Sequence, residues 1–524
     1  MPQAQSVVLP QRLPLVVEPA NRDETSLKDA KLLNGYVEFN DKEKEYWVYK
    51  RPGMLQYGVT QVGVGLGVYN WQEKIYAIFG AKLYEDGVEI GTVDALHGVY
   101  QWSQALGDTP RLQLGNGFAA YNWDGTTLTE ISTLSIITAG DFITGVEYTI
   151  LVPGTTNFTL IGAADSNIGT VFTATGPGTG DGTATTTSNF PASFVKGWAY
   201  LDGTTYVMGT DAYIHGSDTI VGMNRPDLWT DLLNTIGAQI EPDRGVCLAK
   251  QLVYVLALKE WSTEVFYDAQ NPVGASPLAP VQGAKINYGC VSADTVQEVD
   301  GVLLWLATNR SSASQVILVE NLKPMVVSTK AIERLLGEAD FTSIASFSLK
   351  YEGHRFYGLT LKNNNLTLVY DMTDKMWSQW TGPTGNYFPI VASSYLPGAG
   401  RVLQHETNGK LYKFDSDYTS DDGEMITFDL YTPNFDGGVR RRKQITMMEF
   451  VGDRTVGSVL QVRFNDSDYI ADKWTNFRIV DMNVAKAVLP NCGTFLRRAT
   501  HIRHACNSRL RIQAVELQMD IGTL

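Results

Sequence analysis

The sequence predicts an all-β protein: a β-propeller of about six blades, with an inserted small β-module and a C-terminal β-sandwich-like platform. Three observations lead there. Short runs of Val, Tyr, Trp, Ile and Thr alternate with Gly, Asn and Asp turns along nearly the whole chain, the pattern of strands joined by tight turns. Comparable apolar strands begin at Tyr206, Val253, Val302, Arg355 and Arg401, spaced by 47, 49, 53 and 46 residues. Tyr69-Asn70-Trp71 returns 52 residues later as Tyr121-Asn122-Trp123, which carries the same period back toward residue 60. A period of roughly 40–50 residues in an all-β chain indicates four-stranded blades, none of which can bury both faces alone. Finally, the repeat stops after Asp421, and stretches 459–464 and 510–517 alternate polar with apolar residues, as in a sheet with one wet face.

The elements follow in order. Residues 1–55 lack blade spacing and are expected to form an arm packing on the platform. Residues 56–140 hold the first blades, 193–420 the remaining ones and 421–524 the platform, six blades fitting best with five or seven also open. Within a unit, a strand ends in an Asp- or Gly-bearing turn and the next opens on Trp or Leu, as in Tyr121-Asn122-Trp123-Asp124-Gly125-Thr126-Thr127-Leu128. Asp and Gly suit the turn, and the aromatic covers the neighbouring sheet. Between the blade segments, 141–192 shifts abruptly toward Thr and Gly. Alternation in 148–152 and 170–174 predicts strands and an inserted β-module there, whereas the Gly-Pro-Gly-Thr-Gly-Asp-Gly run reads as a flexible loop and a disordered linker is the alternative. The best helix candidate is 329–336, capped by Ser328 or Thr329, with Ile332, Leu335 and Leu336 on one face.

Composition narrows the function. With 524 residues and 44% hydrophobic content the chain can bury several cores. Its net charge is −14, while residues 421–524 are close to neutral and 112–195 contain no Lys or Arg. Such an acidic surface repels nucleic acid and cannot grip phosphates through counterion release. Cys247, Cys290, Cys492 and Cys506 are too scattered for a disulfide framework, so reduced thiols and assembly in a cytoplasm are expected. Residues 1–20 hold four prolines and no continuous apolar run, so neither a signal peptide nor a membrane anchor is expected.

No P-loop, HExxH motif or Ser/His/Asp triad signature occurs, and no catalytic residue and no cofactor is expected. Asp415 to Asp417 and Asp421-Asp422-Gly423-Glu424 lie in turn-rich sequence and read as solvated loops, a weak calcium site being the sharper alternative. Cys492, His501, His504 and Cys506 have the types and number of a zinc set without its spacing, so buried thiols beside surface imidazoles are the better reading.

At several points the residues resemble one family, the packaged-DNA stabilisation or tail-nozzle proteins of short-tailed bacteriophages. Lys50-Arg51-Pro52-Gly53 followed by Gly80-Ala81-Lys82-Leu83-Tyr84 resembles its opening. Ser262-Thr263-Glu264-Val265-Phe266 is similar to one of its hairpins, Ser328 to Leu336 to its short inter-blade helix, and Val369-Tyr370-Asp371 with a following Trp to a later blade. These motifs, in order, span about residues 50–420. The resemblance implies a virion protein assembled in the host cytoplasm. It would form a homohexameric ring below the portal and its adaptor, meet tail fibres or a tail needle, and let genomic DNA pass through its lumen without sequence-specific binding.

Arg440-Arg441-Arg442-Lys443 is the one dense basic run, and Arg497, Arg498, Arg503, Arg509 and Arg511 follow it. Because Arg suits bidentate interface pairs and no aromatic ladder accompanies the run, Arg440, Arg441, Arg442, Lys443, Arg497 and Arg498 are expected at a subunit interface or against an acidic adaptor, ahead of a nucleic-acid contact. Two other classes remain open. A host-receptor or polysaccharide-binding tail protein would expose several of the 11 Trp and 25 Tyr at one rim. A propeller hydrolase would use two of the 56 carboxylates.

Overall fold

Tight two-residue turns set the hairpins. Asp202 and Gly203 join strand Ala199–Leu201 to Thr204–Met208 with φ of 46° and 91°, and Leu201 pairs directly with Thr204. Two successive left-handed residues match the twist of the strands they connect, and Asp-Gly is the pair that adopts them at least cost. The computed structural model in which these turns are seen describes residues 11–15, 30–42, 45–106, 110–220, 223–272 and 274–521. It is almost entirely β-structure, and among the described residues the one α-helix is α1, Lys330–Gly337. Thr329 caps it by accepting from Ile332 N, and Ile332 and Leu336 are its buried face.

The chain forms two compact units, Lys74–Ser312 with Val319–Pro324, and Met1–Glu73 with Ala313–Leu318 and Met325–Leu524. In the first, antiparallel meanders follow one another: Gln101–Ala105 through Leu128–Ile131, Ala199–Leu201 through Thr235–Gly237, and Gly245–Gln251 through Leu278–Pro280, each of four strands. Their inner strands are buried on both faces. Tyr254–Lys259 and Thr204–Met208 are buried almost throughout, as a blade lying between two neighbours requires. Neighbouring meanders are also tied by buried polar bonds, from Thr205 Oγ1 to Gln113 Oε1 at 2.8 Å and from Gln251 Nε2 to Val319 O at 2.6 Å. Among the described residues, seven up-and-down strand groups of this type occur, inside the range of five to seven that the repeat left open.

The insert is a folded module. Leu134–Thr138, Thr183–Thr187, Glu147–Val152 and Val171–Thr173 form one sheet over a core of Ile137, Phe142, Tyr148, Ile150, Phe158 and Phe172. The glycine run is anchored, contrary to the flexible loop expected of it. Asp181 Oδ1 accepts from Thr155 N at 2.6 Å and Oγ1 at 2.8 Å, and Gly182 N donates to Thr156 Oγ1 at 2.8 Å. A Cβ at Gly182 would stand 2.4 Å from Pro153 O, so glycine there permits a close backbone approach.

In the other unit the N-terminal segment supplies strands to three sheets. Gly53–Tyr57 pairs antiparallel with Leu411–Asp415 and completes the sheet begun by Ile390–Leu396 and Gly400–His405. Lys31–Leu33 lies between Met376–Gln379 and Phe428–Tyr431, so the meander Ile344–Tyr351 to Met376–Gln379 continues into Ala499–His504, Val459–Asn465 and Arg478–Asp481. Gly35–Asn40 and Glu45–Lys50 join Arg511–Ile521, Lys443–Gly452 and Ala487–Phe495. The last two sheets enclose a common core of Leu32, Val37, Phe428, Met448, Leu460, Val462, Ile502, Val515 and Leu517, a sandwich built from both ends of the chain.

Candidate assembly interface

The platform sorts its basic residues into two groups. Arg440, Arg441 and Arg442 lie exposed in the connection before strand Lys443–Gly452. Lys443 is only 1% exposed and turns inward. Its Nζ donates to Val439 O and, at 2.7 Å, to Arg441 O, and it lies 5.6 Å from the centre of the Phe495 ring. Burial lowers its pKa. The ammonium therefore ties down the loop that holds the three arginines outward.

Arg498 is likewise internal. Its guanidinium lies 4.7 Å from the Phe464 ring centre and 4.5 Å from that of Phe495, pairs with both oxygens of Asp466 at 2.7 and 2.9 Å, and donates to Cys492 O at 2.5 Å. A planar fork between two aromatic faces, bonded at its edge, is packing that lysine could not supply. Arg497 remains on the surface with Asp468 at 3.1 Å. Of the six basic residues expected at an interface, Arg440, Arg441, Arg442 and Arg497 are presented outward, whereas Lys443 and Arg498 are used inside the platform.

Neither His501 nor His504 is the surface imidazole expected, for both are fully buried. His501 Nε2 meets Asp429 Oδ1 at 2.6 Å, Arg463 Nε donates to its Nδ1 at 2.8 Å, and its ring stacks on Tyr431 at 3.9 Å. Burial works to raise the pKa of Asp429, yet bonds from His501 and Arg503 outweigh it and hold the carboxyl below its ordinary value. His504 faces Ser458 and Ser508 hydroxyls at 3.1 and 3.2 Å, and Lys50 Nζ at 3.5 Å. Cys492 Sγ donates to Leu489 O and Cys506 Sγ to Val459 O, so the four zinc-type side chains have different partners.

Burial first, and Lys50 second, push His504 down to about 3, and burial pushes His405 down to about 4. In the unfolded chain both return to about 6.5. Between those values the unfolded state binds protons the folded state refuses, so stability must fall as pH is lowered from 6.5 toward 4. Urea midpoints at pH 7 and pH 4 should show this drop, and His504→Gln should make it smaller. An unchanged drop in that variant would remove His504 from the account.

The acidic turns are solvated at Asp417 and Glu424, as expected, but not at Asp421. Asp421 is 5% exposed and forms a bidentate pair with Arg51, Nη1 to Oδ1 at 2.9 Å and Nη2 to Oδ2 at 2.6 Å. Arg51 also donates to Asn34 Oδ1, Thr381 O and Pro52 O. Next to it, Gly53 lies so close to strand Ser420–Asp421 that a Cβ would meet Ser420 O at 2.1 Å. Asp422 pairs with Lys410 at 2.7 Å and Asp417 with Arg509 at 3.1 Å. These carboxylates are spent in ion pairs that join the N-terminal segment, the last meander and the platform.

One surface escaped the sequence reading. Ile136, Thr185, Thr149 and Val171 line up across the four strands of the insert on its outer face, where Ile136 is 60% and Val171 55% exposed. The alternation of 134–138 and 147–152 carried that signal, but it does not say which face a sheet leaves open. Aligned exposed apolar residues on one sheet face are the kind of feature that marks an interaction surface.

Four-stranded meanders repeated along the chain, with a sandwich made from its two ends, define an all-β propeller protein carrying a platform. In sequence, residues 195–418 match the phage-stabilisation family described as "Bacteriophage P22 Gp10, beta-propeller", which makes this stretch similar to a phage structural protein. The matched stretch is somewhat under half of the chain. No curated protein sequence matches it. Similar solved structures include the computationally designed Ika8 protein, at 9% identity and TM-score 0.33, covering 69% of this chain and 99% of that one. Catalytically inactive virginiamycin B lyase from Staphylococcus aureus with quinupristin aligns at 6% identity and TM-score 0.37, covering 68% and 97%. YCF48 bound to D1 peptide aligns at 10% and 0.34, covering 70% and 98%. Among the described residues no helix is long and apolar enough to cross a membrane.

Proposed function

We propose that this chain is a structural subunit of a phage tail, a nozzle protein that forms a homohexameric ring below the portal and its adaptor, retains packaged DNA and conducts it during ejection. The match of residues 195–418 to the P22 Gp10 propeller carries this reading. The charge distribution supports it. A net charge of −14 favours a wall along which DNA slides without being gripped. The outward Arg440, Arg441 and Arg442 lie in the platform, where they can pair with carboxylates of a neighbouring subunit or of the adaptor. On this reading the protein acts without catalysis, works in the virion and also meets tail fibres or a tail needle.

The mass of the purified chain, with negative-stain images recorded with and without the portal and adaptor, tests the reading. A hexamer with a central hole, alone or on the adaptor, is expected. A chain that stays monomeric, or forms a trimer indifferent to the portal, would sink it. Reversing Arg440, Arg441 and Arg442 to Glu should abolish ring formation or docking while leaving the melting temperature within about 2 °C, because substitutions on exposed side chains cost little. Normal assembly with altered DNA binding would move these arginines from an interface to the lumen. For the receptor-binding alternative the tryptophans offer no support, since all 11 are buried or half-buried, whereas Tyr213, Tyr267 and Tyr395 are exposed.

A further inference from the structure

Outside the platform core, one imidazole and two carboxylates converge where strand Gly35–Asn40 meets the meander of Ile344–Tyr351 to Met376–Gln379. His354 opens strand His354–Leu361, Asp371 closes Leu366–Asp371, and Asp374 sits in the following turn. Their side chains are only 6%, 4% and 10% exposed. His354 Nδ1 stands 2.6 Å from Asp371 Oδ2 and 3.4 Å from Asp374 Oδ2. The three ligand-type atoms all lie within 4.8 Å of one another.

We propose that His354, Asp371 and Asp374, all carried by this meander, bind one divalent transition-metal ion, with zinc the best fit. Three features support a built site. Each carboxylate has one oxygen fixed from behind by a backbone amide, Thr373 N to Asp371 Oδ1 at 2.9 Å and Phe39 N to Asp374 Oδ1 at 3.1 Å. The second oxygen of each is thereby turned toward the imidazole, the outer-shell arrangement that orients metal ligands. The ring itself is held between Tyr36, edge-on at 4.9 Å, and Phe356, stacked at 5.7 Å.

Charge balance gives the second argument. A single imidazole faces two buried carboxylates. Even an imidazolium would leave negative charge uncompensated, which is costly in a poorly solvated place, and a dication removes the imbalance. Spacing is the third. Ligand atoms about 2.0–2.2 Å from a tetrahedral zinc ion lie roughly 3.3 Å apart. The Nδ1 to Asp374 separation already has that value, and Asp371 must withdraw by a fraction of an ångström. On uptake the proton on Nδ1 leaves to solvent, the hydrogen stays on Nε2, and Nδ1 donates its lone pair to the ion. A fourth position is left for water.

The full-length chain, dialysed against chelator, should bind one equivalent of Zn2+ by calorimetry, and Co2+ in its place should give visible absorption bands of a four-coordinate centre. Asp374→Asn keeps the acceptor for Phe39 N and should fold normally, yet it and His354→Gln should each weaken binding at least tenfold. X-ray absorption on the loaded wild type should show nitrogen and oxygen neighbours without sulfur. No binding by the wild type, a sulfur-containing shell, or undiminished binding in both variants would overturn the assignment.

Discussion

Replacing Lys259 by methionine is expected to lower stability by about 3–5 kcal/mol, the cost of leaving buried carboxylates without their cation. The Lys259 side chain is fully buried. Its ammonium lies 2.9 Å from Asp243 Oδ1 and 2.6 Å from Glu264 Oε1, and also donates to Ala238 O at 3.0 Å and Glu241 O at 2.9 Å. The carboxylates are themselves committed, Asp243 to Ser262 and the amide of Trp261, and Glu264 to the amide of Ile240. Removing the ammonium strands two acids and two carbonyls at once. Urea unfolding followed by tryptophan fluorescence would measure the loss. Combining Lys259→Met with Glu264→Gln should recover part of it, because one of the stranded charges is gone. A loss below about 1 kcal/mol for the single change, as at an exposed pair, would mean that water reaches the network.

The second large effect is expected at Arg51. Its side chain is fully buried against an Asp421 side chain 4% exposed, and its guanidinium lies 4.9 Å from the centre of Phe388. Arg51→Met should cost about 3–5 kcal/mol by the same reasoning. Arg51→Lys should recover only a part, since an ammonium cannot reproduce the bidentate pair and the bonds to Asn34, Thr381 and Pro52 together. Because these partners come from the N-terminal segment, the last meanders and the start of the platform, the loss should appear as early exposure of 53–57 to hydrogen exchange. Equal stability of the Lys and wild-type chains would reduce Arg51 to a simple positive charge.

These two residues show where local sequence stops being informative. Lys50-Arg51-Pro52-Gly53 was readable as a motif, yet its role depends on Asp421, which stands some 370 positions further along. Asp421 read as a solvated turn residue because a carboxylate among Asp, Gly and Glu is normally wet. His501, His504, Lys443 and Arg498 were misplaced for the same reason. A polar side chain is taken as exposed until a partner is known, and each of these partners arrives through strand pairing or sheet packing.

The sequence by itself determined the strand alternation, the Asp-Gly turns, the blade-length period, the folded insert and the capped helix at Lys330–Gly337. All of these rest on interactions between residues a few positions apart, or on a repeat that needs no partner to be seen. Only the tertiary structure decided that Gly53–Tyr57 completes the sheet of Leu411–Asp415, that Lys31–Leu33 joins a meander to the sandwich, and which charged residues are buried. Pairing between distant strands depends on register and on burial of one face against another, and a strand's own residues state its need for a partner without naming it.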